Sequence, residues 1–253
     1  MIKVCVVRND SLPQEQLRTE GIVAIGWDEN IGAEAIGCDY PEVKALIRQA
    51  HPDVTERQVG NWSGQVWLFC TAIEEGDIVV APVRGTGTVD LGVVSGPAYW
   101  DSDASVYGYR RPVEWVELGT RRSTLSEASQ RGLKAQLTCY THRSGDEMRE
   151  IVEARRGIDV DQVRALISGL VDVASGAGVD VAPYERVRDD VDPVRAAREL
   201  VGQPFAESTF IQLNAAGQRN LSLESLVVTR AQELGMPSFV VERARDRLEY
   251  YEA

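Results

Sequence analysis

Apolar positions come in short runs over the first 145 residues, and glycine or proline punctuates the gaps between them. Residues 4–7, 21–25, 77–83, 88–95, 113–118 and 135–141 are such runs, short and rich in β-branched side chains, and they read as strands. Six short strands predict a small barrel. Two short helices interrupt them. Residues 39–47 carry Pro41 near a helix start, with Val43, Leu46 and Ile47 on one side. In the second helix Trp62, Val66, Phe69, Cys70 and Ile73 form a stripe at helical spacing, which ends at Glu75-Gly76-Asp77.

The texture changes after about residue 145. Residues 146–156, 161–173, 193–201, 223–234 and 238–251 read as helices between Gly-, Pro- and Asp-rich turns. The expected class is therefore α+β: a barrel domain over 1–145, then a mostly α-helical domain over 146–253. Gly85-Thr86-Gly87 joins two strand runs with no helix after it, so it reads as a hairpin turn and not as a phosphate loop.

Composition narrows the classes. No apolar run approaches the roughly 20 residues that span a bilayer, and the opening run reads as a first strand and not as a signal peptide. A cytoplasmic, non-membrane protein is expected. The four cysteines, Cys5, Cys38, Cys70 and Cys139, lie far apart and form no CxxC pair, so buried free thiols are expected, with no metal and no disulfide.

A net charge of −12 argues against coating nucleic acid by bulk electrostatics. Its distribution is uneven. Between 105 and 145, Arg110, Arg111, Arg121, Arg122, Arg131, Lys134 and Arg143 face only Glu114, Glu117 and Glu127, a local basic island. Tyr99, Trp100, Tyr107 and Tyr109 crowd the approach to it, and aromatics beside arginines can stack on a base.

Asn61 and Gln65 lie four residues apart on one face of the tryptophan helix, where paired amides suit the edge of a nucleobase. Gly64 between them weakens the helix, as expected if a ligand or another strand approaches the backbone closely there.

Five blocks carry a family resemblance: Ile22-Val23-Ala24-Ile25-Gly26-Trp27, Gly60-Asn61-Trp62-Ser63-Gly64-Gln65-Val66-Trp67-Leu68-Phe69, Glu75-Gly76-Asp77-Ile78-Val79-Val80-Ala81-Pro82, Gly92-Val93-Val94-Ser95-Gly96-Pro97 and Arg110-Arg111-Pro112-Val113-Glu114-Trp115. In this order they resemble the N-terminal modules of modification-dependent (type IV, Mrr-like) restriction endonucleases, similar to the EVE/PUA-like (YTH-related) modified-base readers. The resemblance covers roughly residues 1–145. It implies a PUA/EVE-like barrel whose aromatic pocket receives a flipped or unpaired, modified base.

Carried over by position, Trp27, Asn61, Trp62, Gly64 and Gln65 would form or border the base pocket, and Trp115 would be core. Which tryptophan faces the base stays open. Arg84, Tyr107, Tyr109, Arg110, Arg111, Arg121 and Arg122 are the candidates for the nucleic-acid backbone.

The chain departs from those relatives after the first domain, where they carry a nuclease with acidic metal ligands and a catalytic lysine. Residues 146–253 contain no lysine, and His51 and His142 are the only histidines, so no HExxH-like cluster exists. A non-catalytic protein without cofactor or metal is expected; Asp189-Asp190-Val191-Asp192 reads as a turn capping the helix after Pro193.

Ala231, Gly235 and Val241 match helix-turn-helix spacing, with Arg243, Arg245 and Arg247 on the second helix, although helix packing or self-association is the commoner use of such pairs. Two functions follow as expectations. One is a DNA-binding modified-base reader in a restriction, anti-phage or regulatory system, with the helical half dimerising or docking an effector. The other is an adaptor that binds a nucleotide-like small ligand or a protein partner.

Overall fold

The computed structural model describes residues 2–26, 31–104 and 106–251. The chain forms two compact units, residues 1–149 and 150–253. The first is mixed α and β around a curled half-barrel sheet; the second is helical.

Among the described residues seven strands build the sheet: β1 (Val4–Val7), β2 (Ile22–Ile25), β3 (Ile78–Val83), β4 (Thr88–Val94), β5 (Tyr99–Trp100), β6 (Tyr109–Arg121) and β7 (Cys139–Thr141). Their order is β2-β6-β4-β3-β1-β7, with β5 beside β6. Of these pairs β1 and β3 run parallel and the others antiparallel; β3 and β4 form a hairpin through Gly85-Thr86-Gly87.

β6 makes the sheet curl. Its first residues pair with β2, up to Ile22 opposite Pro112, and the rest pair with β4 from Val113 onward. Proline has no N–H to give to a ladder, so it sits where the strand exchanges partners. Register shifts between Val89 and Gly92 add twist.

Three helices cover the sheet. α1 (Gln14–Glu20) seals the outer side of β2 with Leu17, against Ile22 and Ala24. α2 (Tyr40–Ala50) and α3 (Glu56–Trp67) pack on the inner side, each opened by a capping box, Asp39 with Glu42 and Thr55 with Gln58. Val43, Ile47, Val59, Val66 and Phe69 meet Cys5, Val23, Ile25, Val79 and Cys139 in this core.

α3 widens into a π turn over Leu68–Ala72, where Ile73 N–H bonds to the Leu68 carbonyl at 2.9 Å. The Phe69 carbonyl is thereby released from the helix pattern. Arg111 takes it, donating from Nε and Nη2 at 3.1 and 2.7 Å, while Nη1 reaches the Gly96 carbonyl at 3.1 Å.

A further short helix, α4 (Glu127–Gly132), and the start of α5 (Asp146–Arg155) complete the unit.

The second unit continues with α6 (Val160–Ser175), α7 (Ala182–Asp189), α8 (Pro193–Gly202), α9 (Ser208–Ala215), α10 (Leu223–Thr229) and α11 (Ser238–Tyr250). Val163, Ile167, Val194, Leu213, Val227 and Val240 are among its core. Asp192 caps α8 through Arg195 N–H, so the acidic run serves a helix start. No described helix is long and apolar enough to cross a membrane, and no metal-ligating cluster occurs among the described residues.

The segment read for helix-turn-helix spacing has a shorter first helix than that reading assumed, and Arg245 on its second helix is exposed. α10 stops at Thr229, and an irregular turn fills 230–237. Arg243 donates to the Gly202 carbonyl, and buried Arg247 pairs with buried Glu224 at 3.0 Å and donates to the Gln203 and Phe205 carbonyls. Both side chains are engaged within the bundle.

Candidate functional site

The first unit opens a cavity of about 420 Å³ beyond the end of β2, lined by Ser11, Gly26, Trp100, Ser102, Tyr107 and Gly108 among others. Two glycines allow its aromatic walls. A Cβ on Gly26 would lie 1.8 Å from the Tyr107 ring, and one on Gly108 would lie 2.6 Å from the Trp100 ring. Both rings therefore lie directly on backbone. Tyr107 has a φ of 57°, a strained conformation for an aromatic residue and the only such non-glycine among the described residues. Trp100 also meets Tyr109 edge-on, at 4.8 Å between ring centres.

The sequence-predicted base pocket is only partly assembled at this cavity. Trp27 lies outside the described residues. Asn61, Trp62, Gly64 and Gln65 do not line the cavity; they sit on α3. Gln65 is buried, and its Oε1 accepts N–H bonds from Thr138 at 2.7 Å and Cys139 at 3.2 Å. Its Nε2 turns back to Asn61, 3.3 Å from Oδ1. The amide thus ties α3 to β7 and is spent on backbone donors, which corrects its expected role at a base edge.

Gly64 is corrected as well. A Cβ there would find no atom within 4 Å outside its own helix turn, so nothing approaches closely. Trp62 is half-buried at the rim of the core, edge-on to His51 at 5.2 Å, and Asn61 is exposed. Trp115 is half-buried between both apolar clusters and donates to the Leu17 carbonyl at 3.1 Å.

The backbone candidates divide sharply. Arg111 is 2% exposed and Tyr109 fully buried, so neither reaches a phosphate. Burial lowers the pKa of the Arg111 guanidinium, which three carbonyl bonds and the Phe69 ring hold in place. Arg110 is bound between Glu20 and Asp101, at 3.1 and 3.0 Å. Arg84 and Arg121 are exposed and Arg122 half-buried. Arg84 reaches the Asp10 carbonyl at 3.4 Å, and Asp10 N–H reaches the Tyr107 hydroxyl at 3.4 Å, so Arg84 stands beside the aromatic cavity.

Sequence reading missed Trp100 as a wall, although it singled out the aromatic loop that holds it. It also missed a second cavity of about 730 Å³ between α4 and β7, whose lining includes Arg131, Lys134, Tyr140, His142 and Arg143. His142 is buried and structural there. Its Nδ1 accepts the Ser144 N–H at 3.2 Å, and Nε2 therefore donates to the Ser129 carbonyl at 3.0 Å.

Three of the four thiols, Cys5, Cys70 and Cys139, are buried. Burial pushes Cys5 and Cys70 up to about 12, with the Asp77 carboxylate adding to the shift at Cys5, and it raises Cys139 well above the ordinary value.

The first unit is thus a curled half-barrel with an aromatic-walled cavity beyond one strand end. The model of the family described as "Domain of unknown function (DUF8426)" matches residues 5–141, and the chain belongs to that family. No curated protein and no solved structure matches the chain.

Proposed function

We propose that the protein is a non-catalytic reader of DNA, with a PUA/EVE-like first unit that takes a modified, flipped or unpaired base into the cavity between Trp100 and Tyr107. The observation that carries this reading is the pair of rings laid on Gly26 and Gly108, which leaves two aromatic faces around about 420 Å³. That volume is within the range of about 300–1,000 Å³ typical of ligand pockets. Stacking contributes about 1–3 kcal/mol per base, and extrusion costs least at damaged or unpaired positions. Exposed Arg84 beside the rim supplies a cation for the flanking phosphate.

The helical unit would dimerise or dock an effector, in keeping with Phe205 at 81% and Tyr250 at 76% exposure. The setting would be a cytoplasmic restriction, anti-phage or regulatory system in which another polypeptide cuts. Binding to oligonucleotides that differ only in one modified base tests the reading. Tighter binding to at least one modified oligonucleotide supports it; equal, weak and salt-insensitive binding to all of them rejects it. Stabilisation by free nucleosides alone in a thermal-shift screen would favour the small-ligand adaptor instead.

A further inference from the structure

The basic island does not spread evenly over the first unit. Arg131, Lys134 and Arg143 are exposed around the cavity between α4 and β7, and none of them is ion-paired among the described residues. Arg8 and Arg122 lie near this cluster without lining the cavity. Arg8, just past the end of β1, donates to the Leu133 carbonyl at 2.5 Å, next to Lys134. Burial lowers the pKa of Arg122, and the nearby Arg8 charge lowers it further; Tyr140, which lines the cavity, opposes both. The Nε atoms of Arg8 and Arg122 are buried with no hydrogen-bond partner.

Holding two guanidinium groups together without a carboxylate is unfavourable until an anion arrives. The two acids that follow Arg143 are already spent. Asp146 pairs with Arg149 at 3.0 Å, and Glu147 accepts from Ser126 N–H and from the Ser126 and Ser129 hydroxyls. Arg131, Lys134 and Arg143 line one large opening in a chain of net charge −12, a local positive field that favours an anion.

We infer that this cavity, lined by Arg131, Lys134 and Arg143, is a phosphodiester-binding groove that holds a nucleic-acid strand beside the aromatic cavity. The strand assignment rests on the reader function proposed above. It is favoured over a lone phosphate by continuity along the chain. Arg8 bonds to the Leu133 carbonyl, next to the basic cavity's Lys134, and Ser11 lines the aromatic one; the two are three positions apart, at most about 11 Å of chain. At about 3.4 Å per phosphate along a duplex strand, that span corresponds to about three phosphates.

The test uses the full-length protein and unmodified single-stranded and duplex oligonucleotides, so that it does not depend on base preference. Wild type is compared with the Lys134→Gln/Arg143→Gln double variant and with Tyr107→Ala. Lys134 and Arg143 are exposed, and an unchanged thermal midpoint checks the fold. Each phosphate deprived of its cation lowers the slope of log affinity against log salt by about 0.7 for single strands and about 0.9 for duplex. The slope of the double variant should therefore be shallower by about 1.4–1.8, and wild type should lose roughly tenfold more affinity than it between about 50 and 200 mM salt.

Tyr107→Ala should leave the slope alone. A slope unchanged in the double variant overturns the groove while leaving the base pocket standing. A reduced slope here, together with equal binding to modified and plain oligonucleotides in the comparison that tests the reader function, supports the groove and overturns the base reading. No oligonucleotide binding even at low salt overturns both, and displacement of oligonucleotide by micromolar pyrophosphate would make this a small-anion site and overturn the strand assignment.

Discussion

Gln65→Ala separates a strand-tying amide from a base-reading one. In the folded protein Gln65 Oε1 accepts two backbone N–H bonds, from Thr138 at 2.7 Å and Cys139 at 3.2 Å, and Cys139 is 1% exposed. Truncation leaves both donors without a partner where little water enters. An unsatisfied buried donor costs about 1–3 kcal/mol; with Thr138 only half-buried, the pair sums to about 3 kcal/mol. For a unit of this size that is a fall in Tm of roughly 6–12 °C. The assay is thermal unfolding followed by tryptophan fluorescence. All five tryptophans lie between residues 27 and 115, so the signal reports the first unit alone. Asn61→Ala, one turn away and exposed, should change stability by no more than about 0.5 kcal/mol. A Gln65→Ala protein as stable as wild type, with nucleic-acid binding lost, would refute the reasoning and return Gln65 to the base edge.

Three further outcomes are expected. Gly64→Ala should stabilise the first unit by up to about 1 kcal/mol in urea unfolding, because its Cβ meets open space and alanine favours the helix; a loss would mean something occupies that space. A thiol reagent near neutral pH should label Cys38 alone in the folded protein and all four cysteines after unfolding, and stability should fall as pH rises from 9 towards 12. The sign follows because buried Cys5 and Cys70, raised from 9.0 to about 12, keep protons in that window that the unfolded chain releases. Arg247→Ala should cost about 3–5 kcal/mol in denaturation followed by far-ultraviolet circular dichroism, since it strands the buried Glu224 carboxylate, whose pKa burial already raises, and frees two carbonyls.

Local pattern carried much of the architecture. β1 to β4 lie within a residue of the apolar runs, because each run is closed by glycine, proline or a charged turn. α1, α7 and α9 escaped because each is seven or eight residues long, too short to show a stripe; α1 buries only Leu17. β6 runs four residues further toward the N-terminus than its apolar core, since Tyr109 to Pro112 are strand only through their pairing with β2.

The site was less legible. Gln65 is explained by a partner 73 residues away, and Arg111 by a carbonyl released in a π turn, neither of which periodicity can express. Charge counting put Arg111 in a surface island and left out Arg8, which reaches the Leu133 carbonyl, next to Lys134, from just past the first strand.

The most direct measurement of the central claim is the affinity ratio between a modified and an otherwise identical plain oligonucleotide, for wild type and for Trp100→Leu. Loss of one stacking face should shrink the wild-type preference about 5- to 150-fold, the equivalent of about 1–3 kcal/mol, while leaving binding to the plain strand nearly unchanged. A preference that survives intact in a folded Trp100→Leu protein would contradict the assignment of this cavity as the base pocket.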